Sequence, residues 1–137
     1  MAEWEWFATM TFRDPSPDDQ KAGWTRIGTG YAQTALRRWS TELQVACFGR
    51  EQPRWVACME FQKSRGVPHW HALVANAGTE RRMDWVDWWY QRYGIARVLP
   101  YNKELGARYY LSKYVTKELA DIKFSVGLVH DIHHATS

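Results

Sequence analysis

Cysteine is scarce. Cys47 and Cys58 are the only two in 137 residues, and no CxxC pair occurs. A disulfide framework is therefore not expected, and a reducing, cytoplasmic setting is. No run of eighteen apolar residues exists, so no transmembrane helix is expected. Met1-Ala2-Glu3-Trp4-Glu5 lacks the basic-then-apolar order of a signal peptide. Internal repeats and low-complexity linkers are missing too. Charge of one sign is weak: the formal balance is +3, compatible with nucleic acid without demanding it. What is plentiful is hydrophobic and aromatic mass, 45% of residues with nine Trp, which excludes disorder. The length suits one domain, expected over residues 1–137.

Three segments alternate with the period of a half-buried strand. In Glu3 to Phe12, Trp4, Trp6, Ala8, Met10 and Phe12 form one apolar face. In Arg54 to Gln62 that face is Trp55, Ala57, Met59 and Phe61. In Val67 to Val74 it is Pro68, Trp70, Ala72 and Val74. Asp14-Pro15-Ser16-Pro17 ends the first strand and opens a loop expected to reach about Gly30. Tyr31 to Phe48 has helical spacing, with Ala32, Ala35, Leu36, Trp39 and Leu43 on one stripe. A second helix is expected from Thr79 or Asp84 to Tyr93, burying Trp85, Trp88, Trp89 and Tyr93. A fourth strand follows over Ile95 to Leu99, and Asn102 is placed to cap a third helix, Leu105 to Leu119. Val126 to His130 is a candidate last strand in an otherwise unassigned tail, 119–137.

Pro68-His69-Trp70-His71 is the stretch around which the chain is organised. On a strand, His69 and His71 share a face and Trp70 takes the other. A lone His-x-His is ordinarily incidental. Here, however, a hairpin closing near Ser64-Arg65 sets Glu60 opposite His69 and diagonal to His71. Two imidazoles and a carboxylate on one face can hold a divalent ion and leave positions open. Each strand keeps its other face apolar, where a buried structural histidine would more naturally lie.

The third helix carries the second constellation. Tyr110, Lys113, Tyr114 and Lys117 fall on one face, and Leu111, Val115 and Leu119 towards the opposite one. The plain alternative is a solvated face with two amphipathic tyrosines. The chemical alternative is a pair of nucleophiles, each with an ammonium that favours its phenolate and neutralises a phosphate.

Order and spacing of these motifs resemble the HUH endonuclease superfamily, the rolling-circle replication initiators (Rep proteins) in their two-tyrosine, phage and plasmid form. Phe7-Ala8-Thr9-Met10-Thr11-Phe12 is similar to its Thr-rich first motif. Gly66-Val67-Pro68-His69-Trp70-His71 is similar to its second, with Glu60 in the place of the third metal ligand. Tyr110-Leu111-Ser112-Lys113-Tyr114-Val115-Thr116-Lys117 is similar to its third. The resemblance runs from about Phe7 to Glu118. Residues 119–137 have no counterpart.

The resemblance implies an α+β fold: a central antiparallel sheet, RRM-like, with helices on one face and the active site on the other. It implies Mg²⁺ or Mn²⁺ on Glu60, His69 and His71, of which two imidazoles suit Mn²⁺ better. It implies tyrosine attack on single-stranded origin DNA, giving a 5′-phosphotyrosine link and a free 3′ hydroxyl. Thr9, Thr11, Lys63, Arg65 and Arg108 would contact DNA, and Arg81 and Arg82 would flank the site. A host helicase and polymerase, in the cytoplasm of a bacterium carrying a phage or plasmid, would be partners; no membrane would be. The alternatives are a transposase or relaxase of the same superfamily, a non-catalytic single-strand binding module, and a small metal-binding protein. A metal triad is superfluous to a pure binder, and the tyrosine–lysine face is unexplained in a metal carrier.

Overall fold

The computed structural model describes residues 3–23, 27–62, 67–107, 109–110 and 121–125. Five strands form one open antiparallel sheet: β1 (Trp4–Met10), β2 (Arg54–Gln62), β3 (Val67–Ala75), β4 (Ala96–Pro100) and β5 (Asp121–Phe124). Their spatial order is β4-β1-β3-β2-β5. With helices α1 (Pro17–Lys21), α2 (Thr29–Ala46) and α3 (Arg82–Arg92), this is the expected α+β fold.

The main core lies between one sheet face and α2 and α3. Ala8, Met10, Ala57, Trp70, Ala72 and Val74 of the strands pack with Ala32, Leu36, Trp39, Leu43, Trp85 and Trp89 of the helices. Three tryptophans also fix the layers by hydrogen bonding. Trp70 Nε1 donates to the Ala32 carbonyl at 2.8 Å, Trp55 Nε1 to Ser40 Oγ at 2.9 Å and Trp89 Nε1 to the Thr11 carbonyl at 2.6 Å. Each satisfies an indole N–H that burial would otherwise penalise by about 1–3 kcal/mol. Both helices therefore sit on the face the alternation marks as apolar.

Several expectations shift. The segment after β1 is not all loop. Ser16 caps α1 in a reciprocal box, its Oγ accepting from Asp19 N at 3.1 Å while Ser16 N donates to Asp19 Oδ2 at 2.9 Å. Trp4 does not share the face of Trp6. Trp4 pairs with Ala75 and Trp6 with Val74, so an extra residue on β1 reverses the alternation. Trp4 accordingly packs with Phe7, Tyr101 and Tyr110 on the other face. The last described strand is β5, upstream of Val126 to His130, and it lengthens the sheet beside β2. Val126 to His130 itself lies outside the described residues. Asn102 does cap the turn after β4, its Oδ1 accepting from Glu104 N at 3.0 Å. Helical residues follow at 106–107 and 109–110; the rest of the third helix lies outside the described residues.

Among the described residues no helix is long and apolar enough to cross a membrane.

Candidate active site

The sheet face away from α2 and α3 is organised in rows set by strand register. In one row Glu60 on β2 stands opposite His69 on β3, as the hairpin spacing requires. In the next, Arg97, Thr9, His71, Cys58 and Ile122 follow one another across β4, β1, β3, β2 and β5. In a third, Leu99, Phe7, Leu73 and Val56 do the same. Cross-strand partners project to the same side, so each row is a line of neighbouring side chains.

His71 is the centre of this arrangement. It is 6% exposed. Its Nε2 lies 3.2 Å from Glu60 Oε2, across the diagonal of the ladder. Its Nδ1 lies 3.4 Å from Thr9 Oγ1 on the neighbouring strand. The Phe7 ring is nearly parallel to the imidazole, with centroids 6.2 Å apart. A histidine held through Nδ1 presents Nε2 in a fixed direction, which is how ligating histidines are commonly oriented.

His69 is half-buried, and its ring centroid is 6.3 Å from that of His71. Glu60 and His71 are in direct contact, and His69 is next to them on the same face. Among the described residues, no three His, Cys, Asp or Glu side chains are gathered closely enough to hold an ion as they stand. The donor chemistry nonetheless fits a divalent metal: one carboxylate oxygen and one oriented imidazole nitrogen already converge, with a second imidazole next on the same face.

Tyr110 reaches the same face. Its ring lies on Phe7 at 4.7 Å and on Tyr101 at 5.2 Å. Its hydroxyl oxygen accepts a hydrogen bond from Asn102 N at 3.0 Å. Phe7 thus stands between Tyr110 and His71. The neighbouring Tyr109 is 63% exposed. Lys113, Tyr114 and Lys117 lie outside the described residues, as do Lys63, Arg65 and Arg108.

Thr9 and Thr11 both have engaged hydroxyls, Thr9 with His71 and Thr11 as donor to the Ile95 carbonyl at 2.7 Å. Arg82 is tied structurally, its Nη1 donating to the Val98 carbonyl at 2.9 Å and joining α3 to β4. Arg97 was not singled out from the sequence. Its signal was present: Ile95, Arg97 and Leu99 alternate along a short strand, and all three are exposed.

Cys58, opposite His71, is fully buried, and burial pushes its thiol upward. It behaves as a small apolar residue beneath the site.

Fold and face together define an antiparallel α+β domain that carries imidazoles, a carboxylate, a tyrosine and an arginine on the side opposite its helices. Residues 5–119 match the family described as replication-associated protein ORF2, and the chain belongs to that family. Membership supports a role in the initiation of replication. No curated protein and no solved structure gave a significant match.

Proposed function

We propose that this protein nicks and rejoins single-stranded DNA to start rolling-circle replication, with a tyrosine of the 110–117 segment as nucleophile. The observation that carries the proposal is the Glu60–His71 contact, with His69 beside it and the Tyr110 ring across Phe7 on the same sheet face.

Glu60, His71 and His69 would hold Mg²⁺ or Mn²⁺, which would supply Lewis acidity and a template for the scissile phosphate. The chain's own part is to align, to activate and to keep the cut end. A tyrosine hydroxyl loses its proton, and its oxygen bonds to phosphorus. The bond from phosphorus to the 3′ oxygen breaks, and that oxygen takes a proton to become a hydroxyl. The 5′ end stays on the protein as a phosphotyrosine. The reverse sequence rejoins strands.

Unaided, a phenol of pKa about 10 is a poor nucleophile at neutral pH. Lys113 and Lys117, each three residues after a tyrosine in the sequence, would offset the negative charge of the attacked phosphate. Tyr110 receives a further hydrogen bond from Asn102 N, and its ring is packed between Phe7 and Tyr101. That packing suits a second nucleophile held in reserve and favours Tyr114, four residues on in the sequence, for the first cut. A host polymerase would extend the free 3′ end, and a host helicase would part the strands ahead of it.

The test is incubation with labelled single-stranded origin DNA and Mn²⁺, followed by a denaturing gel. A covalent protein–DNA band is expected. Its absence with Mn²⁺ and Mg²⁺ on cognate DNA would refute the catalytic proposal and leave a non-catalytic binding module.

A further inference from the structure

Next to His69, beyond the end of β1, lies a cleft of about 420 Å³ lined by Thr11, Arg13, His69, Tyr90 and Ile95, with Gly94 in its wall. We infer that this cleft receives one base of the bound single strand, stacked against Tyr90, while Arg97 on the adjoining strand holds the backbone phosphate. The inference rests on the proposed action on single-stranded DNA and adds a path for the strand, from the histidines over β1 to β4.

Four observations support it. First, the cleft has the volume of a small-ligand pocket, for which about 300–1,000 Å³ is usual. Second, its lining is aromatic, cationic and hydroxylic, with no acid. That combination takes a nucleobase and repels no phosphate. Third, Tyr90 is 60% exposed although it is aromatic and sits on a well-packed helix. Arg13 reinforces it, donating to the Tyr90 carbonyl and placing its guanidinium 5.5 Å from the ring centroid. The platform is thus fixed before any ligand arrives. Fourth, Arg97 faces Thr9, which faces His71. Two ladder spacings put the Arg97 and His71 backbones about 10 Å apart. A phosphate on Arg97 and a second at the histidines would therefore belong to nearby nucleotides of one strand.

Gly94 lets the chain after α3 lie directly against the end of β1. A Cβ there would come within 2.7 Å of Arg13 N and 2.8 Å of the Thr11 carbonyl. The close approach lets Arg13 N donate to the Tyr93 carbonyl and Thr11 N to the Ile95 carbonyl, both at 2.9 Å, so the end of α3 is laid beside the end of β1.

The experiment uses the full chain in chelator, where no cleavage is expected. Affinities for oligothymidylate and for an abasic oligomer of equal length are measured for wild type, Tyr90→Ala, Tyr90→Phe and Arg97→Gln. Tyr90→Ala should weaken oligothymidylate binding roughly 5- to 150-fold, the span of one lost base–aromatic stack. It should leave the abasic oligomer nearly unchanged, and Tyr90→Phe should restore most of the loss. Arg97→Gln should weaken both ligands and reduce the log–log salt slope by about 0.7. An oligomer carrying iododeoxyuridine should crosslink to the α3 peptide containing Tyr90. Equal losses on both ligands, or wild-type affinity in Tyr90→Ala, would overturn the cleft assignment. Adduct formation with Mn²⁺ is scored separately. An adduct without base-dependent coupling refutes the cleft alone, and coupling without an adduct refutes the catalytic proposal alone.

Discussion

Glu60 and His71 meet at 3.2 Å although the ladder pairs Glu60 with His69, not with His71. The carboxylate reaches along the diagonal of the sheet, and Thr9 steadies the far side of the imidazole. Thr9→Val should therefore weaken Mn²⁺ binding about 10- to 100-fold, the usual effect of removing an orienting partner. Glu60→Gln should weaken it at least as much. Isothermal titration of both variants checks this; wild-type affinity in Thr9→Val would mean that the hydroxyl does not orient His71.

Chelator should abolish adduct formation, and added Mn²⁺ should restore it. Binding to single strands should largely survive, because phosphate attraction and stacking do not need the ion. A full yield of adduct in chelator would remove Glu60, His69 and His71 from the chemistry.

Neutral imidazole is the ligand form, so Mn²⁺ affinity should decline as pH falls through about 6.5. Undiminished affinity well below pH 5 would exclude histidine ligation. Cys58 works at the other end of the scale. Burial raises its thiol above the unfolded value of about 8.5. Folding thus favours the protonated form. The stability from this group is complete below the unfolded value and lost as pH rises towards the folded one. Iodoacetamide should label Cys58 only under denaturing conditions; rapid labelling of the native protein would show the thiol to be accessible.

Tyr110→Phe and Tyr114→Phe should each retain some nicking, and the double variant should make no covalent adduct. Peptide mapping after a single cleavage should place the DNA on Tyr114. A map that placed it on Tyr109, or an adduct in the double variant, would turn another face of this helix towards the site.

Gly94→Ala should cost about 1–3 kcal/mol of folding stability, because the new methyl meets backbone rather than a movable side chain. Urea denaturation measures it. An unchanged midpoint would mean that β1 and α3 separate without cost.

Much of this was fixed by the order of residue types. Alternation placed Ala8, Met10, Ala57, Trp70 and Val74 under the helices and Thr9, Glu60, His69 and His71 on the opposite face, because a strand turns its side chains with a period of two. The few residues between β2 and β3 in the sequence leave one register, and the Gln62–Val67 pairing sets Glu60 against His69. Helical spacing likewise marked Leu36, Trp39 and Leu43 as buried. Tertiary structure alone decided the rest. The β1 irregularity that carries Trp4 to the other face depends on pairing with β3, which local pattern does not encode. β5 became a strand by joining the edge of β2, where Ser125 Oγ accepts from Trp55 N at 3.0 Å. Arg97 reached the histidine face because β4 pairs with β1 rather than with its neighbours in the chain. Side-chain period is a local property; which strands become neighbours is settled by contacts between residues far apart in sequence.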